Sequence, residues 1–247
     1  MYPQKYIWDK RTTDFMGERV SADGGHGQLT GQDMQDTPPP APPPQGVVGV
    51  LALQGDFEAH GNVLRGLGVR VREVRVPADL DRLDGLVIPG GESTTMTLGI
   101  AREGLAEPLR RLAGRGIPIL GSCAGLIMLD REHLGIVDIL AERNAFGRQL
   151  RSFEAEVPVQ GLEGGPVHGV FIRAPWIAEH GPGVEILAQI DGHAVAARQG
   201  RVTAVAFHTE LGRDDRLHRL LLADVAANGA GSPADSPVDE SSVSGTG

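Results

Sequence analysis

The stretch IPILGSCAGLIMLDREHL, residues 117–134, runs from a short β-rich segment into a helical one, AGLIMLDREHL, through GSCAG at residues 121–125. A strand that turns sharply into a helix around one nucleophilic residue has the form of a nucleophile elbow, here with cysteine in the place serine usually takes. The turn is strained, and Gly121 and Gly125, two residues away on either side of Cys123, let neighbouring backbone approach without a Cβ clash. The helix start adds electrostatics. Its unpaired N–H groups favour a thiolate over a thiol, and the N–H of Ala124 faces the place where an oxyanion would form. A lone cysteine is ordinarily a buried structural thiol, but such a cysteine makes no demand for flanking glycines at a strand–helix junction.

Outward from this junction the chain alternates. VVGVLAL from Val47, FEAHGNVLRGLG, VRVREVRV from Val69, GLVIPG, two helical segments ending at Arg115 and then IPIL follow the βαβ rhythm of a parallel sheet. Continuous apolar runs such as VVGVLAL fit strands covered on both faces, whereas the alternation of VRVREVRV fits a half-exposed strand near an edge. From Phe153 the candidates FEAEVPV, HGVFIRA, VEILAQI, HAVAARQ and VTAVAF succeed one another without helices, so this half is expected to be antiparallel or mixed. DDRLHRLLLADVAANG then forms a closing helix, with Leu217, Leu220, Leu221 and Val225 at helical spacing and Gly229 just past its end. The fold class is therefore α/β, an open, mixed but mostly parallel sheet flanked by helices, spanning residues 47–228.

The ends read differently. Residues 1–46 are polar and Gly-rich and finish in TPPPAPPPQG, which favours extended polyproline geometry; residues 229–247 are Ser, Gly, Pro and acid without periodicity. Both are expected to be disordered tails. A net charge of −9 with scattered Lys and Arg lacks the footprint of a nucleic-acid binder. No apolar run reaches the length of a signal peptide or a membrane span. A single cysteine can make neither an internal disulfide nor a Cys-based zinc site, which fits a reducing cytoplasm. A small-molecule substrate is the expectation that remains.

A thiolate needs a base and a group that orients the base. FHTEL at residues 207–211 follows the strand candidate VTAVAF, and at an extended strand end the spacing of His208 and Glu210 puts both side chains on one face. Glu210 can then hold the imidazole while its other nitrogen addresses Cys123. The remaining histidines fall mostly in tails, helices or turns, where surface or capping roles are the default. PGGEST at residues 89–94 supplies a third piece: Gly90 and Gly91 allow a backbone N–H to turn toward an acyl carbonyl and complete an oxyanion hole with Ala124. Read simply, the same residues are a glycine turn opening a helix capped by Ser93 or Thr94. No lysine follows at the place a phosphate loop requires.

Taken in order, LALQGDFEAH, PGGESTTM, GSCAGLIML, ERNAFGRQ, SFEA, GVFIRAP and FHTEL resemble the triad, or class I, glutamine amidotransferases, and among them the glutaminase subunits of pyridoxal 5'-phosphate synthase. The resemblance covers nearly all of the expected folded span and implies a flavodoxin-like fold. It implies Cys123 as nucleophile, His208 and Glu210 as its partners, an oxyanion hole at Gly91 and Ala124, and L-glutamine held near Gly91, Glu92, Ser93, Arg143, Ile172 and Arg173. It also implies that ammonia passes to a separate synthase subunit, and that no metal or cofactor is needed. Two departures accompany it: Thr209 stands where the family usually has proline, and LDREHLGIVDIL is shorter than the family's segment there. From the residues alone, two alternatives stay open. One is another elbow enzyme, such as a cysteine peptidase or a glutaminase serving a different synthase; the other is a non-catalytic interaction subunit that keeps the fold.

Overall fold

The computed structural model describes residues 46–143, 152–212 and 214–230. The expected tails therefore lie outside the described residues, apart from their inner ends, as does most of ERNAFGRQ. In chain order the elements are β1 (Val47–Leu51), α1 (Phe57–Gly66), β2 (Arg70–Val74), β3 (Gly85–Ile88), α2 (Ser93–Arg102), α3 (Ala106–Gly114), β4 (Ile119–Ser122) and α4 (Ala124–Leu129). There follow β5 (Ile139–Glu142), β6 (Ser152–Val157), β7 (Val167–Ile172), β8 (Trp176–His180), β9 (Glu185–Ile190), β10 (His193–Gln199), β11 (Val202–Val205) and α5 (Arg216–Ala230).

Among the described residues the main sheet runs β2-β1-β3-β4-β11-β10-β8-β5, with β9 paired to β10, and β6 and β7 form a separate ribbon. β2, β1, β3, β4 and β11 are mutually parallel. Every pairing beyond β11 is antiparallel. The parallel strands behave as their composition dictates. β3, β4 and β11 are buried at every position because helices cover both faces, whereas β2, with its alternating charges, is the sheet's edge and is largely open. One core joins the two kinds of pairing, from Val48 and Leu86 through Leu120 and Val205 to Val195 and Ala197.

Three expectations need correction. The helix after Cys123 was expected to run through DREHL, but α4 stops at Leu129. Asp130 leaves the helix, and its buried carboxylate accepts the backbone N–H of Glu132 and His133 and the ring Nδ1–H of His133 through one oxygen, and the N–H of Ala141 through the other. These local bonds offer the backbone an alternative to the helix, and they fold the short segment so that Leu134 and Val137 are buried. Secondly, β5 and β8 were not anticipated. Both are short and pair through an irregular register at the edge of the sheet, so neither carries a sustained alternation. Thirdly, Gly229 lies inside α5, not beyond it. A glycine in a last turn costs about 1 kcal/mol against alanine, which does not by itself end a helix.

α5 is fixed at both ends of its packed face. Asp214 accepts the backbone N–H of Arg216 and its guanidinium, which also donates to the carbonyls of Glu163, Gly165 and Pro166. Further along, Arg198 on β10 donates to both oxygens of Asp224 at 2.7 and 2.9 Å. This clamping sets Leu217, Leu221 and Val225 into the core, and it fixes the position of His218 between them.

Candidate active site

Four loops leave the carboxyl ends of the parallel strands on the same side, the side where open α/β sheets form their crevices. Gln54 and Asp56 follow β1, Gly90 and Gly91 follow β3, Cys123 follows β4 and His208 follows β11. The β1 and β3 loops are stitched together. Asp56 N–H donates to Gly90 O, while the Gln54 carboxamide donates to Glu92 O at 3.0 Å and accepts Glu92 N–H at 3.1 Å.

At the elbow Cys123 has φ 49° and ψ −103°, a conformation that costs an L-residue about 1–3 kcal/mol and persists only where its surroundings impose it. Its N–H donates to Val205 O at 2.8 Å, which continues the β4–β11 pairing one residue beyond the strand. The glycines are needed for close approach. A Cβ on Gly125 would lie 2.0 Å from Ile88 O, and one on Gly121 would lie 2.5 Å from Leu129 Cδ1 and 2.9 Å from the Gly125 carbonyl carbon. The thiol is buried, with Ile172 O at 3.9 Å from Sγ.

His208 sits just past β11, and its backbone forms a two-bond antiparallel bridge with Val170 of β7, at 2.9 and 3.0 Å. Its ring Nδ1 lies 2.6 Å from Glu210 Oε1, with Asp56 Oδ2 farther off at 3.4 Å. Gly90 has no side chain for good reason: a Cβ there would lie 2.2 Å from His208 Cε1. Burial works against a charge on His208, but its hydrogen bonds with Cys123 and Glu210 outweigh burial, and its pKa is raised to about 10. Burial likewise favours a protonated Glu210, yet His60 and His208 outweigh it and hold the carboxyl well below the usual range.

A cavity of about 640 Å³ opens in front of Cys123 and His208. Gly91, Glu92, Ser93, Ala124, Arg143, Ile172 and Arg173 all line it, together with Asp56, Thr94, Ile127 and Pro175. Glu210 is absent from the lining because it stands behind the imidazole. Arg143 donates to Ser93 Oγ at 3.4 Å. The α2 helix is capped by Glu92, not by Ser93 or Thr94: its carboxylate accepts the N–H groups of Thr94 and Thr95 and the Thr95 hydroxyl. Those bonds, the Thr95 hydroxyl foremost, hold its pKa down to about 2, so Glu92 presents a fixed anion to the cavity.

Residues 50–227 match the model of the SNO glutamine amidotransferase family. The chain belongs to that family. Curated relatives include a pyridoxal 5'-phosphate synthase subunit PdxT of Streptomyces coelicolor, 48% identical over 206 residues that cover 80% of this chain and 98% of the relative. Another of the same name, from Acidothermus cellulolyticus, is 51% identical over 194 residues, 73% of this chain and 94% of that one. A crystal structure of a glutamine amidotransferase superposes with TM-score 0.69 at 45% identity, covering 73% of this chain and 99% of the other. A putative GMP synthase subunit from Thermoplasma acidophilum shares the fold at TM-score 0.58 and 19% identity over 74% of this chain and 96% of the other.

Within this amidotransferase four further side chains, not singled out by the sequence, stand beside Cys123, His208 and Glu210: Asp56, His60, Ser122 and His218. His60 and His218 depart from the surface or capping default for the remaining histidines: both are buried. Their position was legible in principle. His60 precedes buried Leu64 by four residues and His218 precedes buried Leu221 by three, so each falls on its helix's apolar stripe. Asp56, His208 and Glu210 are also the one group among the described residues with ligand atoms close enough to hold a metal ion. The 2.6 Å contact between His208 Nδ1 and Glu210 is a direct hydrogen bond that leaves no room for an ion between them. No described helix is long and apolar enough to cross a membrane.

Proposed function

We propose that Cys123, His208 and Glu210 hydrolyse the side-chain amide of L-glutamine, and that the ammonia released passes to the synthase subunit of pyridoxal 5'-phosphate synthase. The chain is a glutaminase of the vitamin B6 pathway, acting as part of that synthase, and the single observation that carries the triad is the 2.6 Å His208–Glu210 bond behind a strained Cys123. Because Nδ1 is committed to Glu210, Nε2 is the nitrogen that addresses the sulfur. A pKa near 10 keeps the imidazole protonated at neutral pH, so it stabilises a thiolate beside it.

The thiolate attacks the amide carbon and the carbonyl oxygen takes up the electron pair. Gly91 and Ala124 supply the N–H groups for that oxyanion. The intermediate collapses to a γ-glutamyl thioester as the C–N bond breaks and His208 gives its proton to the departing ammonia. Water, deprotonated by His208, then cleaves the thioester to glutamate and restores the thiolate. The cavity suits the substrate's far end, where an α-carboxylate needs a guanidinium such as Arg143 or Arg173 and an α-ammonium needs an anion such as Glu92. The lone thiol fits a cytoplasmic setting in which it stays reduced.

The test is Cys123→Ala in the assembled complex. Alanine lacks the nucleophile, so glutamine-dependent synthesis of pyridoxal 5'-phosphate should be lost while ammonium salts restore it. Retained glutamine turnover would remove Cys123 from its role, and failure of ammonium to rescue a correctly assembled complex would break the ammonia hand-over.

A further inference from the structure

Behind the triad the interior holds a histidine pair that the mechanism does not use. His60 Nδ1 lies 2.9 Å from His218 Nε2, and His60 Nε2 lies 2.9 Å from Ser122 Oγ and 3.3 Å from Glu210 Oε1. All four side chains come from different elements, α1, α5, β4 and the turn after β11, and all are buried. Such a cluster, far from any surface role, needs an account of its protons.

The hydrogen-bond pattern fixes them. Among the described residues His218 Nδ1 is buried without a partner, and burial, with His60 beside it, pushes the His218 pKa down to about 3. A neutral imidazole carries one N–H. Placed on Nδ1 it would be an orphaned buried donor, which costs more than an unpaired lone pair. It therefore sits on Nε2 and donates to His60 Nδ1. His60 Nδ1 is then an acceptor, so the His60 proton is on Nε2, where it points at Ser122 Oγ and the Glu210 carboxylate. The opposite arrangement would orphan the His218 N–H and set the His60 lone pair against an anion at 3.3 Å.

We propose that His60, locked in one tautomer by His218, is a positioning residue of the triad: it gives Glu210 a second N–H donor and ties that carboxylate to Ser122, the residue before the nucleophile. This rests on the triad reading above. Glu210 Oε1 then receives His208 at 2.6 Å and His60 at 3.3 Å, while Oε2 has no partner among the described residues, so His60 is the one described contact besides His208 that orients the carboxylate. The loss of that donor leaves a buried anion free to turn, and the imidazole turns with it.

The experiment compares His60→Leu, His60→Gln and His60→Asn in the full chain assembled with its synthase subunit, reading kcat and KM for glutamine. Leucine fills the space without a donor, and asparagine keeps a polar group facing His218 but has nothing at the Nε2 position. Glutamine carries an amide N–H to that position. Leucine and asparagine should lower kcat by about 10–100-fold with KM unchanged, the size expected for losing a donor to a buried charge. Glutamine should restore kcat to within about threefold. The low-field proton resonance of His208 Nδ1–H should persist in His60→Gln and be lost in His60→Asn. His60→Asn is the variant to rely on should His60→Leu not fold. A wild-type kcat in His60→Leu or His60→Asn, equal losses in His60→Gln and His60→Asn, or a change in KM alone would overturn the assignment. Cys123→Ala measured alongside separates the cases: activity there would sink the triad itself, whereas an inactive Cys123→Ala with an active His60→Asn would sink only the role of His60.

Discussion

The parallel and antiparallel halves of the sheet divide the proposed labour. β2, β1, β3, β4 and β11 carry at their carboxyl ends every group given a covalent or proton-transfer role, and three of these five strands are buried throughout. The antiparallel half and the β6–β7 ribbon supply Arg143 and Arg173, and their strands are far more open, as in β6 and β8. Rigid, doubly covered strands hold atoms to a fraction of an ångström, which proton transfer and a strained elbow demand. Ionic recognition tolerates more latitude. The two halves meet at the Val170–His208 bridge, so His208 is anchored on both.

This division predicts that substitutions of Cys123, His208 and Glu210 on the parallel half act on kcat and those of the two arginines on the antiparallel half on KM. The largest effect after loss of the nucleophile is expected for Glu210→Gln, at about 10²–10⁴-fold in kcat, the span typical of general acid–base catalysis. The pH profile sharpens the test. The Glu210 charge and hydrogen bond help raise His208 to about 10, so removing the charge lowers the pH at which the imidazole loses its proton. The alkaline limb of kcat/KM should move down from near pH 10. The sign for stability is the same: a His pKa raised in the folded state stabilises fully below its unfolded value, near 6.5, and that contribution fades as pH rises through the folded value. An unmoved alkaline limb would mean that another group sets it.

On the other half, Arg143→Ala should raise KM for glutamine about tenfold while kcat stays within about twofold, because a guanidinium far from the amide binds ground and transition states alike. Equal losses in kcat and kcat/KM would instead place Arg143 in the transition state and break the division.

The same contrast explains what the sequence revealed. VVGVLAL, GLVIPG and VTAVAF announce the parallel strands because burial on both faces demands unbroken apolar runs, and β2 announces its edge position by alternation. GSCAG and PGGE are legible because close backbone approach excludes side chains at fixed offsets. β5 and β8 stayed hidden because edge pairing asks little of composition. His60 and His218 stayed hidden for a different reason. A histidine on an apolar stripe carries no local mark of the partner it will meet 158 residues away. Glu92 as the α2 cap was missed because serine and threonine beside it are more usual caps.

The smallest effect is expected at the junction of the halves. Thr209 lies between His208 and Glu210 and is buried, and its carbonyl accepts the N–H groups of Gly212 at 3.0 Å and Asp214 at 3.3 Å. Proline keeps that carbonyl and removes the N–H and the side-chain hydroxyl of residue 209. It also confines the preceding residue to extended backbone, and His208 is already extended in its bridge with Val170. Thr209→Pro should therefore leave kcat within about twofold and raise stability by about 0.4–1 kcal/mol through the unfolded chain. Thermal unfolding and steady-state glutamate release of the two proteins check both parts. A lower Tm with a large loss of kcat would mean that the threonine N–H or hydroxyl holds the His208–Glu210 turn in place, and the bridge to β7 would then be insufficient to fix the general acid.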